Sequence, residues 1–151
     1  MPVEILPAAQ QPVTNALLAM LRSVLSGKMP VGDGEAPKPA AGKGTPAMPY
    51  AVLYAVPGGD VTGGQLGDES STDGVWAYQV TCVGAIREQA EAALDAVRAA
   101  VLSRTSHAYT HPITSTAVNV HHREHRSFGP TRPEAGLWNA VEFFTLYSTP
   151  V

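Results

Sequence analysis

Residues 75–102 read VWAYQVTCVGAIREQAEAALDAVRAAVL, and this stretch decides the fold class. Its first part alternates: Trp76, Tyr78, Val80 and Cys82 point one way, and Ala77, Gln79 and Thr81 the other. A period of two marks a strand with one better-buried face. After Gly84 the period changes. Ile86, Ala90, Leu94, Val97 and Val101 recur at helical spacing, with Ala93 and Ala100 beside them, so residues 86–102 are predicted as a helix. Ala, Glu, Gln and Arg dominate it, and these are strong helix formers. Arg87 and Glu91 sit four apart and can pair on the exposed side, worth a few tenths of a kcal/mol. No Ser, Thr, Asp or Asn stands before the helix to cap it.

Working outward, residues 50–56 (YAVLYAV) lie between Pro49 and Pro57 and read as a buried strand. With residues 75–83 they suggest an antiparallel hairpin with an oversized tip. Before them, Val13, Leu17, Met20, Leu21, Val24 and Leu25 share one helical face, and Leu18 falls off it. Residues 13–26 are therefore predicted as a helix, with Pro12 at its start and Gly27 at its end. Residues 113–120 are rich in Thr and Val and read as a third strand. Residues 137–147 (LWNAVEFFTLY) read as a fourth. Its two faces carry Trp138, Ala140, Phe144 and Leu146 on one side and Val141, Phe143 and Tyr147 on the other, so both sides need cover. The order helix, strand, strand, helix, strand, strand predicts an α+β fold: a small, mostly antiparallel sheet of about four strands with two main helices on one face.

Length and composition agree with one folded domain. The chain has 151 residues, is 44% hydrophobic and only 15% charged, against a typical charged share of about 25%. Low charge argues against disorder. Most of the 13 Pro and 14 Gly cluster in three predicted loops, 28–49, 57–74 and 121–136, and leave the core segments clean. The net charge of −3 argues against a free-standing duplex-DNA binder, which usually carries a basic stripe. The single Cys82 rules out an intrachain disulfide framework and any multi-Cys zinc module. No run of about 18 apolar residues is present, and residues 1–10 do not resemble a secretory signal, so a soluble intracellular protein is expected.

Residues 121–125 (HHREH) match H-x-x-E-H through His121, Glu124 and His125. In inverted zinc peptidases that pattern binds zinc and supplies a general base, but only on a helix, with a third ligand. This segment has no apolar stripe and is followed by Gly129-Pro130, so a zinc hydrolase is only a remote alternative. Arg123, Arg126 and Arg132 also concentrate positive charge there. That reads as a phosphate-contacting patch or, more plainly, as a solvated loop. Residues 42–45 (GKGT) lack the spacing and the preceding strand of a phosphate-binding loop. Cys82 sits among apolar neighbours, as a buried small hydrophobe does. No G-x-S-x-G elbow exists. The expectation is a protein that is not an enzyme, with no catalytic residue, metal or cofactor.

The residues 48–54 (MPYAVLY), the strand 76–84 (WAYQVTCVG) and the helix start 87–91 (REQAE) together resemble tail-terminator proteins of long-tailed phages, most closely those of actinobacterial phages. The resemblance covers most of residues 13–149. It departs at Ile86, where related sequences more often carry a capping residue. Its motifs are structural. It implies a virion protein, assembled in the host cytoplasm, that caps the tail tube at the head-proximal end as a hexameric ring. Its implied partners are copies of itself, the tail-tube protein and a head-completion or neck protein, with DNA passing through the channel without sequence-specific binding, and no membrane. Another neck or connector completion protein is the alternative. On this reading Trp138, Val141, Phe143, Phe144 and Tyr147 are candidates for a subunit interface. Lys38, Lys43, Asp60, Asp68, Glu69, His121, His122, Arg123 and Arg126 are candidates for loops facing a partner or the lumen.

Overall fold

The computed structural model describes residues 6–39, 41–61, 73–132 and 136–151. The first helix, α1 (Gln10–Val24), starts from an extended Ala9 without a side-chain cap. Pro12 lies in its first turn, where no backbone N–H is required. Val13, Leu17, Met20 and Leu21 are buried, and so is Leu18, so α1 is gripped over a wider arc than the main stripe. Gly27 then takes a φ of +82°, the left-handed conformation that ends helices.

The short strand β1 (Val31–Asp33) pairs in parallel with β2 (Tyr50–Val61). Residues 28–49, predicted as a loop, thus contain an edge strand. Their remaining length has a topological cause. Parallel strands cannot be joined by a tight turn and need a crossover of about a dozen residues or more, which 34–49 provides. At Gly32 the backbone of Glu35 and Pro37 occupies the place a Cβ would take. The crossover returns directly over the strand, and a larger residue would not fit.

β2 pairs antiparallel with β3 (Gly74–Gly84), with a register shift between Val56 and Asp60. The predicted loop 57–74 therefore begins as strand, since β2 continues to Val61. Residues 62–72 lie outside the described residues. α2 (Arg87–Leu102) follows β3 almost at once. Its Ncap, Ile86, makes no cap, and the Gln89 side chain instead reaches back to accept from Ala85 N–H at 2.7 Å. That is one half of a capping box, displaced by a residue.

The connector after α2 folds into a two-stranded ribbon, β4 (Arg104–Thr105) with β5 (Ala108–Tyr109). The last two strands, β6 (Val118–Thr131) and β7 (Trp138–Pro150), pair antiparallel. This corrects two expectations. The strand predicted at 113–120 begins only at Val118, and it runs on through the His/Arg-rich segment predicted as a loop. The reason is position. β6 is an edge strand in the order β1-β2-β3-β7-β6, and an edge tolerates charged residues, proline and bulges that a central strand would not. The main sheet accordingly has five strands where about four were expected, and the fold class is α+β. Both helices pack on one face, where Leu17, Leu21, Leu53, Tyr78, Val80, Leu94, Val97, Phe144 and Leu146 form one core. No helix among the described residues is long and apolar enough to cross a membrane.

Candidate assembly surface

The register of the sheet sorts every side chain to one face or the other. Across β3 and β7, Cys82 pairs with Ala140, Val80 with Glu142, Tyr78 with Phe144 and Trp76 with Leu146. These point toward the helices and are buried. The alternate rungs are Thr81 with Val141, Gln79 with Phe143, Ala77 with Thr145 and Val75 with Tyr147. They face away from both helices and are half-buried. β6 extends this outer face with Phe128 beside Val141, Arg126 beside Phe143, Glu124 beside Thr145 and His122 beside Tyr147. β2 adds Tyr54 opposite Gln79.

An antiparallel sheet with one solvated face normally alternates apolar and polar residues. Here the outer face carries Val141, Phe143, Tyr147, Tyr54 and Phe128 instead. Phe128 is 49% exposed and Tyr54 37%. Phe128 and Phe143 meet edge to face at 5.2 Å between centroids, the geometry favoured by the ring quadrupoles. His122 lies 5.1 Å from the Tyr147 ring. Glu124 ties this pair together: its Oε2 accepts from Tyr147 O–H at 3.3 Å and its Oε1 lies 3.2 Å from His122 Nε2. Burial first, then the Glu124 charge, pushes the Tyr147 phenol above its ordinary range. An open groove of about 410 Å³ is lined by Ala77, Arg126, Phe128, Phe143 and Thr145 among others.

Of the predicted interface residues, Val141, Phe143 and Tyr147 share this outer face. Trp138 is half-buried at the start of β7 and packs against the core. Phe144 is 0% exposed between the sheet and the helices. It is a core residue of this chain, and its place on the helix-facing side of β7 removes it from the interface candidates. Lys38 and Lys43 are exposed in the crossover. Asp60 lies in β2; Asp68 and Glu69 lie outside the described residues. His121, His122 and Arg126 are exposed on β6, so they belong to a strand and not to a loop. Arg123, counted with them in sequence, is only 4% exposed. It faces inward because β6 alternates. The same alternation puts Glu124 and His125 on opposite faces, so the H-x-x-E-H residues do not converge. Among the described residues no group of three or more His, Cys, Asp or Glu is placed to hold a metal.

The sequence reading missed a buried charge. Glu142, 0% exposed, lies on the inner face of β7. Arg98 of α2 donates from Nε to its Oε1 and from Nη2 to its Oε2, both at 3.1 Å. His125 Nδ1 lies 2.9 Å from Oε1, and Arg98 Nη2 also donates to Ser127 Oγ at 3.0 Å. The bonds to Glu142 raise the Arg98 guanidinium above its ordinary range. This cluster locks α2 to β7 and to the β6 edge. A signal was present: by the period of two, Glu142 falls on the face of Ala140 and Phe144, where a carboxylate needs a partner.

No family model matches the sequence, and no curated protein matches it. Among solved structures, a chain of "Virion of native gene transfer agent (GTA) particle" is similar to it over 90% of this chain and 93% of that one. The sequence identity is 17% and the TM-score 0.47.

Proposed function

We propose that this chain is a structural protein of a phage-like virion, and that it closes the head-proximal end of a tail tube as a ring of identical copies. The observation that carries the reading is the outer sheet face: Tyr54, Val141, Phe143, Tyr147 and Phe128 form a partly exposed apolar surface that neither helix covers. The resemblance of residues 48–54, 76–84 and 87–91 to tail terminators supplies the role. A closed ring is built by head-to-tail contacts, so each copy needs two different, complementary surfaces. The outer face is one, with Val141, Phe143 and Tyr147 as its centre. The ring would stop tube growth, meet a head-completion or neck protein on its other side, and let DNA pass through its channel.

Native mass spectrometry of the purified chain tests this. A metal-free species of about 95 kDa, six copies of the 15.8 kDa chain, is the expected result. A chain that stays monomeric, alone and when mixed with tail tubes, refutes it. A ring that binds neck proteins but never tubes favours the neck-completion alternative.

A further inference from the structure

The buried charges of this protein are treated unequally. Glu142 has Arg98 and His125 against it. Arg123 has no carboxylate partner among the described residues. Its Nη1 donates to Val101 O at 2.6 Å and its Nη2 to His111 O at 2.7 Å, while Nε is buried without an acceptor. Val101 O is among the last carbonyls of α2, so the helix end offsets the charge with the equivalent of about half a negative charge. The His111 carbonyl and the Tyr109 ring face meet the rest of it with partial charges only. Burial pulls the guanidinium down to about 10, which leaves it charged at neutral pH.

The surroundings add positive charge. The Arg123 guanidinium lies 4.1 Å from the Tyr109 ring centroid, and that of Arg104 lies 5.0 Å from the same centroid. The Tyr109 hydroxyl accepts from Arg123 backbone N–H at 3.1 Å and from Arg104 Nη2 at 3.4 Å. Ser106, at the turn of the β4–β5 ribbon, takes a φ of +59° and is followed by His107. His121 stands at the bulge between Val120 and His122. Arg104, His107, Tyr109, His121 and Arg123 line an open cleft of about 320 Å³, and none of its lining residues is acidic.

We infer that this cleft between the β4–β5 ribbon and the start of β6 binds a phosphate group, with Arg104 and His107 as its exposed donors and Arg123 as the fixed charge beneath them. Arg104, His107 and His121 line one cleft without an acidic residue, and N–H donors from several side chains suit a tetrahedral anion with three or four acceptor oxygens better than a two-oxygen carboxylate. The inference does not rest on the assembly reading, because Arg104 and His107 lie on the ribbon, outside the five-stranded sheet.

Calorimetric titration with inorganic phosphate, and separately with a short duplex DNA, tests it at matched ionic strength. Saturable phosphate binding is expected, weakened about tenfold or more in Arg104→Ala and in His107→Ala, with unfolding midpoints like that of the wild type. Arg123→Met should abolish binding. If that variant does not fold, the two exposed variants decide the matter. DNA that competes with phosphate identifies a backbone phosphate as the source, and its affinity should fall steeply with salt. Phosphate binding with DNA silent identifies a free phosphate or phosphomonoester. Absence of binding to both probes overturns the inference. So does binding unchanged in the Arg104 and His107 variants, or a glutamate-rich peptide that binds where phosphate does not.

Discussion

Arg98 on α2 and Glu142 on β7 are joined by two parallel N–H···O bonds, each 3.1 Å, across the boundary between helix and sheet. Removing one partner of such a pair leaves the other charge buried and unpaired, which costs about 3–5 kcal/mol. The Arg98 side chain is 35% exposed, so water softens the loss. Arg98→Ala is expected to cost about 3 kcal/mol, at the low end of that range. Urea unfolding followed by circular dichroism measures it. A midpoint equal to that of the wild type would show that Glu142 finds another partner.

Phe143 and Phe144 are neighbours with opposite fates, which separates assembly from folding. Phe143→Asp places a charge on the outer face, and the subunit should keep its helical signal while losing the ring proposed above. Phe144→Asp places the charge in the core and should prevent folding, since truncating a buried Phe already costs about 3–5 kcal/mol. Circular dichroism with native mass spectrometry reads both. If Phe143→Asp rings form normally, the outer face is not a subunit contact.

Adjacent residues of β6 diverge in the same way. Arg126→Ala should leave the unfolding midpoint unchanged within about 0.5 kcal/mol, as exposed substitutions generally do. Arg123→Ala removes two charge-assisted bonds to Val101 and His111 carbonyls and its packing on Tyr109. It should cost about 2–3 kcal/mol. Thermal melts of the two variants side by side check this, and equal stabilities would contradict the inward placement of Arg123.

Cys82 supplies a pH prediction. Burial first, and then the charge of Glu142, push its thiol up to about 12. The reactive species is the thiolate, so the native protein should resist alkylation at pH 8 and react only as it unfolds. The unfolded thiol ionises near pH 8.5, whereas the native thiol keeps its proton to about 12. Between these values folding takes up a proton, so stability falls as pH rises. Tyr78, raised by burial, acts in the same direction above its ordinary range. Iodoacetamide labelling followed by mass, with and without urea, is the measurement; rapid native labelling at pH 8 contradicts it.

Trp76 crowds two glycines. A Cβ at Gly74 would lie 2.7 Å from the indole Nε1, and one at Gly59 would also meet the ring. The indole cannot retreat freely, because Nε1 donates to Ser148 Oγ at 3.1 Å in the buried interior. Gly74→Ala should cost about 1–3 kcal/mol through overpacking. A denaturation curve checks it, and a neutral result would mean the indole shifts without losing Ser148.

The elements legible in sequence are those whose own residues carry a period. Residues 75–102 showed both a strand and a helix because each buries one face. β6 was illegible for the opposite reason: at the edge, His122 to Phe128 are all exposed except Arg123, the one buried residue is charged, and no hydropathy pattern marks that. β1 was hidden by brevity, its three residues lying within a Pro/Gly-rich segment. The outer face was half legible. Period two separated Val141, Phe143 and Tyr147 from Phe144, but only the register across β2, β3, β7 and β6 shows these residues joining Tyr54 and Phe128 on one surface. The phosphate cleft was beyond sequence, since Arg104 and Arg123 come together only through Tyr109.

The β6 edge has two register shifts, between Val120 and His122 and between Phe128 and Thr131. Each breaks the row of unpaired backbone groups that an incoming strand would have to match. Continuous rim-to-rim pairing of copies along this edge is therefore disfavoured. Contact between copies is thereby left to side chains, which saturate once the facing surface is covered, and not to a shared backbone ladder that could be extended strand after strand.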